Sequence, residues 1–387
     1  MENQKNKKIL FITGTRADYG KLKTLIRSVD NSIGFEAYVY VCGMHLIERY
    51  GNTYVEVLKD HYQNIHVAFG LMNTQSMSYN LGSVVCNLTG YLQNIKPDMI
   101  VVHGDRIDAL AGAIVGTLNN TLVAHIEGGE LSGSVDESIR HAVSKLSHIH
   151  LVANEEAKLR LLQMGEESNR VHVIGSPDID IMLSSRLPFL ESAKQRYCIN
   201  FENYAILTYH PITTEFSSIG KMIRNIIDAV IETGHNYIVI HPNNDLGSEI
   251  ILNEYKRIEG NPRFACFPSI RFEYFLTFLK NADYMIGNSS AGVREACIYG
   301  IPAIDIGNRQ LNRYKTSISK NIQHVFENKD EICRAVDLIN AYRCQSNGFG
   351  AGDSTQKFMN LIKNMNIWTL NIQKQFVEQE KCYVCQF

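Results

Sequence analysis

The sequence predicts an α/β protein built as two doubly wound parallel sheets facing a central cleft. Three observations carry that expectation. Short β-rich apolar runs alternate with helix-length segments, the pattern of parallel strands joined by crossover helices. The pattern restarts at Tyr204, after a polar stretch that follows Gly175-Ser-Pro. The chain's 387 residues suffice for two domains that each bury a core. Two Rossmann-like halves are therefore expected, at 1–177 and 178–365.

The first half opens with Lys8-Ile-Leu-Phe-Ile-Thr13, a Gly14-Thr15-Arg16 turn and a helix from about Asp18. Further strands are expected near 36–42, 98–103, 121–126, 149–153 and 171–175. The second half begins with Tyr204-Ala-Ile-Leu-Thr-Tyr-His210 and continues through YIVIHP, FACFP, YMIGNS and PAIDIG, each succeeded by a helix-length segment. Near the end, Asp353-Ser-Thr is expected to cap an amphipathic segment with Phe358, Leu361, Ile362 and Met365 on one face. No repeat stands out apart from this duplication of architecture.

Bulk properties exclude several function classes. A formal net charge of −2 supplies no basic field for nucleic acid or anionic lipid. Apolar windows are broken by Gly, Asn or charge well before membrane-spanning length. The start, MENQKNKKILFIT, is polar and runs directly into a strand, so it does not read as a signal peptide. Nine scattered cysteines fit buried thiols in a reducing cytoplasm, the expected location. Cys382 and Cys385 form one C-x-x-C without a second Cys or His pair, which reads as a tail rather than a zinc site. The histidines show no ligand spacing, so no metal is expected.

The chemistry concentrates between His103 and His150. The runs Asp98-Met-Ile-Val-Val-His103 and Thr121-Leu-Val-Ala-His-Ile126 each lead to a carboxylate, Asp105 and Glu127, and Asp136 opens the next helix. In an open α/β sheet the ligand crevice lies beyond the carboxyl ends of the strands. Three acids from three consecutive βα connections are thus expected to converge on one pocket, an arrangement that proton transfer needs and a fold does not.

An interdomain cleft is a usual home for a nucleotide, yet neither half carries G-x-G-x-x-G or a Walker loop. Instead Gly287 to Gly292 form a small-residue turn between a strand and a helix. There Ser289, Ser290 and backbone N–H groups can approach a diphosphate; a helix cap with tight packing is the competing reading. Glu295 suits both ribose hydroxyls, or is an ordinary exposed helical acid. Arg16 and Arg309, each after a strand, offer guanidinium forks for phosphate, though either alone is more often a surface ion pair. His210 ends its strand before Pro211 and points to the same crevice.

These residues lie in long motifs: GTRADYGKL at 14–22, HGDRIDALA at 103–111, HIEGGELSGSVDESIRHAVSKL at 125–146, HPITTE at 210–215, PNNDLGSE at 242–249, GNSSAGVRE at 287–295 and GNRQ at 307–310. Through them nearly the whole chain resembles the hydrolysing UDP-N-acetylglucosamine 2-epimerases. The resemblance implies a glycosyltransferase-B-like fold with UDP in the cleft. It also implies a C-terminal helix or tail, expected at 366–387, that crosses back to the first domain. It maps the essential acids onto Asp105, Glu127 and Asp136, with Glu130 a fourth acid nearby, and groups His210 with them. Lys21, Arg106, Asn243 and Asp245 join Arg16, Ser289, Ser290, Glu295 and Arg309 in substrate contact. No cofactor is implied; UDP-sugar and water are the partners, and a homo-oligomer, dimer or tetramer, is expected.

Within the wider family, non-hydrolysing members typically read EAGLR where this chain has EGGELSGSVDESIRHA, so the hydrolysing branch fits better. That branch implies loss of UDP through a 2-acetamidoglucal, then hydration to N-acetylmannosamine. Close relatives act on a UDP-2,4-diacetamido-2,4,6-trideoxy sugar, and that alternative stays open. So do a retained-UDP epimerase or glycosyltransferase on the same scaffold, and a catalytically silent nucleotide-sugar binder. Loss of one of the three acids would mark the silent binder; all three are present.

Overall fold

Among the described residues, thirteen strands form two sheets in which every pairing is parallel. The computed structural model describes residues 6–71, 76–131, 135–184, 187–311, 314, 319–346 and 348–378. The first sheet holds β1 (Lys7–Thr13), β2 (Phe35–Val41), β3 (Asn64–Val67), β4 (Met99–His103), β5 (Leu122–Ile126), β6 (Ile149–Val152) and β7 (Val171–Val173). Their order is β3-β2-β1-β4-β5-β6-β7. The second sheet holds β8 (Ala205–Thr208), β9 (Tyr237–Ile240), β10 (Phe264–Phe267), β11 (Met285–Gly287), β12 (Ala303–Ile306) and β13 (Ile322–Val325), in the order β10-β9-β8-β11-β12-β13. The winding direction reverses between β1 and β4 and again between β8 and β11, and at such switch points a crevice opens beyond the strand ends.

The central strands read as apolar runs because helices cover both faces. Ile9 and Phe11 pack on Leu22 and Leu25 of the helix Arg16–Asp30, while Leu10 and Ile12 meet Leu88 and Ala111 from the helices Met77–Ile95 and Ile107–Leu118. In the second sheet Leu207 and Val239 face Ile223 and Ile226, and Ile206 faces Phe278. Two strands were not expected, β3 (NIHV) and β13 (IQHV). Both are sheet edges with partly exposed, mixed-polarity residues, so neither leaves an apolar run in the sequence.

The first helix begins at Arg16, ahead of the expected Asp18. Thr15 caps it and Asp18 returns the bond to the cap, a capping box that makes Asp18 the third helical residue. At the other end of the chain, the helix Ser354–Lys363 returns to the first half, upstream of the expected 366. Phe358, Met359 and Ile362 pack among Ile9, Phe11 and Val101. Asp353 gives this helix no side-chain cap, contrary to expectation. Asp180, in the helix Pro177–Met182, accepts from the backbone N–H groups of Ser354 (2.9 Å) and Thr355 (2.7 Å) instead. Leu361 packs on the core edge, but Met365 lies in the following 3-10 turn and is exposed. From 370 to 378 the chain is an irregular tail. Arg170 Nη1 donates to the Asn371 carbonyl at 3.0 Å, and Lys374 donates to the Ser147 carbonyl at 2.7 Å and to Glu166 at 2.6 Å. Cys382 and Cys385 lie outside the described residues, as do Ser132–Ser134 within the branch-discriminating motif.

Candidate active site

Both switch points open onto one cavity of about 320 Å³ between the sheets. Arg16, Lys21, Asp105, Arg106, Glu127, His210, Asn243, Ser289, Ser290, Glu295 and Arg309 line it. The two remaining candidates, Asp136 and Asp245, stand one contact behind the wall, where each pairs with a wall arginine: Arg309 and Arg106 respectively. Residues far apart in sequence therefore meet because each follows a strand near a reversal of winding.

Glu127 is the most elaborately held of these groups. Directly after β5 its backbone adopts φ 63°, a left-handed conformation that costs a non-glycine residue roughly 1–2 kcal/mol. Its N–H donates to the Leu151 carbonyl at 2.9 Å, and its carbonyl accepts from Arg140 Nη1 at 2.5 Å, so tertiary bonds pin the turn on both sides. The carboxylate Oε1 accepts from Ser176 Oγ at 2.7 Å and Arg294 Nη2 at 2.6 Å. Oε2 lies 2.9 Å from His103 Nε2 and 3.6 Å from Lys21 Nζ. Burial alone would raise its pKa; Arg294, Lys21 and His103 outweigh it and hold Glu127 well below the usual carboxylate range. Glu127 is ionised at neutral pH. Asp105 pairs with the other arm of Arg140 on the helix Val135–Leu146, and Asp136 opens the same helix.

Several residues expected in ligand contact are also joined in ion pairs. Lys21 sits among three carboxylates, 3.3 Å from Asp178, 3.5 Å from Glu295 and 3.6 Å from Glu127. Burial and Arg294 push its pKa down, but the three acids together push it up. Glu295 is buried rather than an exposed helical acid, and burial, with Asp178 beside it, raises its pKa. Arg309 reaches Asp136 (3.2 Å) and the Asn288 carbonyl (3.1 Å), and Arg106 reaches Asp245 (3.1 Å) and Asn244 (2.9 Å). Both guanidiniums bridge the two halves.

Arg16 differs from these. Its Nη1 donates to Ser269 at 2.8 Å, and the nearest carboxylate, Glu56, is 3.9 Å away. Burial lowers its pKa, and Glu56 answers only in part. It is a cavity cation short of counter-charge. Across the cavity, Gly287 takes φ 129°, and a Cβ there would stand 2.0 Å from the Thr208 carbonyl oxygen, so only glycine makes this turn. Ser289 both lines the cavity and caps the short helix Ser290–Val293, accepting from Ala291 N at 3.4 Å. The cap reading is therefore met by a residue that also stands on the cavity wall.

His210 is oriented by its neighbours. Asn243 N–H donates to Nδ1 at 3.0 Å, which leaves the ring proton on Nε2, and Asn288 Oδ1 accepts from the His210 backbone N–H at 2.6 Å. Burial, reinforced by Arg309, pushes its pKa down to about 3. It is a neutral hydrogen-bond donor.

Arg140, Arg294, His103, Ser176 and Asp178 were not identified from sequence. Three of them left a signal: Arg140 lies four residues after Asp136 on one helix, the spacing of a shared face, while His103 opens the HGDRIDALA motif and Arg294 sits inside GNSSAGVRE. Among the described residues, no group of three His, Cys, Asp or Glu side chains is placed to hold a metal ion, and no helix is long and apolar enough to cross a membrane.

Two facing doubly wound sheets with a charged cleft at both switch points define the glycosyltransferase-B-like α/β class. Within that class, the chain belongs to the UDP-N-acetylglucosamine 2-epimerase family, whose model matches residues 27–363. A UDP-N-acetylglucosamine 2-epimerase of Neisseria meningitidis serogroup B is 47% identical over 377 residues, covering 96% of this chain and 99% of the relative. A hydrolysing UDP-N,N'-diacetylbacillosamine 2-epimerase of Legionella pneumophila is 32% identical over 374 residues, covering 95% and 98%. The fold matches the UDP-GlcNAc 2-epimerase of Methanocaldococcus jannaschii, solved with UDP-GlcNAc and UDP, at a TM-score of 0.79 and 23% identity, covering 92% of this chain and 99% of that one.

Proposed function

We propose that the chain is a hydrolysing 2-epimerase that converts UDP-N-acetylglucosamine and water to N-acetylmannosamine and UDP, for nonulosonic (sialic) acid synthesis. The observation that carries this reading is the convergence of three acids on one cleft. They come from two connections rather than the expected three, Asp105 after β4 and Glu127 and Asp136 both after β5. Asp105 and Glu127 stand on its wall and Asp136 directly behind Arg309. The C2–H of a 2-acetamido sugar is weakly acidic, so a held carboxylate must take that proton while the C1–O bond to UDP breaks. The electron pair of the C–H bond forms the C1–C2 double bond of a 2-acetamidoglucal, and UDP leaves with the C1–O pair. Water then adds at C1 while an acid protonates C2 from the opposite face. The sum is one water consumed, UDP released and C2 inverted.

The site's charges suit each demand. Glu127, kept ionised by Arg294 and Lys21, belongs on the proton-accepting side. Arg16, short of counter-charge, faces the Ser289-Ser290 turn and suits a departing diphosphate. Neutral His210 can donate from Nε2 without carrying charge to the sugar. The hydrolytic outcome gains support from the Legionella relative, named as hydrolysing, and the sialic-acid setting from an Escherichia coli relative named polysialic acid biosynthesis protein P7, 30% identical over 388 residues. The same Legionella relative favours a second reading, the same hydrolytic epimerisation of a UDP-2,4-diacetamido-2,4,6-trideoxy sugar.

Incubation with each UDP-sugar in D₂O, with products resolved by NMR, tests both. Free UDP and N-acetylmannosamine deuterated at C2 are expected from UDP-N-acetylglucosamine. Product without deuterium at C2 rules out proton abstraction, a UDP-bound product rules out hydrolysis, and turnover of the diacetamido sugar alone selects the second reading.

A further inference from the structure

Arg294 belongs to the second half, yet both terminal nitrogens of its guanidinium bond to the first. It sits at the junction between the helices Ser290–Val293 and Glu295–Ile298, its backbone still in the right-handed helical region (φ −97°, ψ −58°). Nη2 donates to Glu127 Oε1 at 2.6 Å and also contacts Ser176 Oγ, while Nη1 pairs with Glu130. The guanidinium lies over the Phe349 ring, its carbon 5.0 Å from the centroid. Phe349 in turn accepts, through its carbonyl, from the Ser176 N–H at 2.8 Å. The side chain is buried, so this fork is not an ordinary surface pair.

Arg294 also lies four residues beyond Ser290, in the segment that forms the small-residue turn on the cavity wall. One short piece of chain therefore carries both the turn assigned above to the diphosphate and the strongest cation on Glu127. We propose that Arg294 is a positioning residue that couples the nucleotide-binding turn to the catalytic acid: it fixes the Glu127 carboxylate in place and charge only while the two halves are in contact. The proposal rests on the functional reading above for its nucleotide and deepens it.

The other groups around Glu127 do not duplicate this role. Lys21, on the helix Arg16–Asp30, is shared with Asp178 of the helix Pro177–Met182 and with Glu295. His103, at the end of β4, approaches the other carboxylate oxygen, Oε2. Arg140, on the helix Val135–Leu146, binds the Glu127 carbonyl and the Asp105 carboxylate, not the Glu127 carboxylate. Glu130, in the same loop as Glu127, adds negative charge that Arg294 also neutralises. Without Arg294, Glu130 keeps Arg140 at 3.8 Å, whereas the Glu127 carboxylate is left with the edge of His103 and a Lys21 shared with Asp178 and Glu295. A proton is then the cheapest remedy.

The test uses the full chain, as wild type, Arg294→Gln and Arg294→Lys. The Glu127 carboxyl is titrated by 13C NMR of glutamate-labelled protein, its resonance identified by its absence in Glu127→Gln. UDP affinity is measured by calorimetry, and kcat is followed against pH. In Arg294→Gln the Glu127 midpoint should rise by at least about one pH unit, and the acid limb of kcat should move with it. At neutral pH kcat should fall ~10²-fold, with UDP affinity changed less than about threefold. Arg294→Lys should recover part of both the midpoint and kcat. An unchanged Glu127 midpoint in folded Arg294→Gln overturns the proposal, as does a loss of UDP affinity in proportion to kcat. Should Arg294→Gln fail to fold, a wild-type midpoint and kcat in Arg294→Lys overturn it equally. A wild-type chain that turns over no UDP-sugar overturns the functional reading, whereas the Glu127 midpoint tests Arg294 without any turnover.

Discussion

Arg309, just beyond β12 in the second half, holds Asp136 of the first: its Nη2 lies 3.2 Å from the Asp136 Oδ2. Its Nη1 donates to the Asn288 carbonyl at 3.1 Å, so the guanidinium is fixed between the second half's strand ends and an acid of the first. An arginine expected on phosphate is thus also the partner of a proposed catalytic acid. Asp136→Asn and Arg309→Gln should each lower kcat/KM. The double variant should cost less than their sum, with a coupling of about 1–3 kcal/mol for groups in direct contact. Strict additivity in that cycle would show that the two act independently in turnover.

Asp105→Asn, Glu127→Gln and Asp136→Asn should each lower kcat by at least ~10²-fold, the scale of lost general acid–base catalysis. Steady-state assay of UDP release checks this. Near-wild-type turnover in any one of them removes that residue from the chemistry. Glu127→Gln carries a second expectation, since it leaves buried Arg294 and Lys21 short of a charge. Its melting temperature should fall more than that of Asp105→Asn, whose carboxylate is more exposed than that of Glu127.

Arg16→Ala should weaken UDP binding by about 1.5–3 kcal/mol, the usual worth of a hydrogen bond to a charged group. Glu295→Ala should weaken UDP but leave inorganic pyrophosphate unchanged if the acid reads the ribose. Calorimetry with both ligands separates the cases. Equal loss for UDP and pyrophosphate would assign Glu295 to the Lys21 cluster alone, where it is 3.5 Å from the ammonium.

Acid should destabilise the fold well above the carboxylate range. Burial pushes His45 down to about 4 and His125 and His210 down to about 3, from an ordinary value of 6.5. Below that ordinary value the unfolded chain takes up protons that these folded rings refuse, so stability falls as pH falls. The slope approaches about 1.4 kcal/mol per pH unit for each histidine. Asp108 and Glu295, shifted upward by burial, oppose the trend with the reverse sign. The melting temperature should be level between about pH 7 and 8 and decline below about 6.5. A flat profile down to about pH 5 would mean that the three rings titrate freely in the folded protein.

Much of the fold was legible because it rests on local pattern. A strand buried on both faces must be apolar throughout, and β1, β4, β5, β8 and β11 announce themselves in that way. Strand ends then point to the cleft, which is why the sequence alone places Asp105, Glu127, His210 and Ser289 at its wall. Edge strands β3 and β13, half exposed, leave no such mark. What only the tertiary structure decided is which charge answers which. Arg309 meets Asp136 across 173 residues of chain, Arg294 meets Glu127 across 167, and Asp180 caps a helix that begins 174 residues later. These pairings depend on how one sheet faces the other, and a side chain's charge carries no address in sequence. The residue types thus set what chemistry the cleft can hold, while the packing of the two halves sets the ionisation and orientation of each group within it.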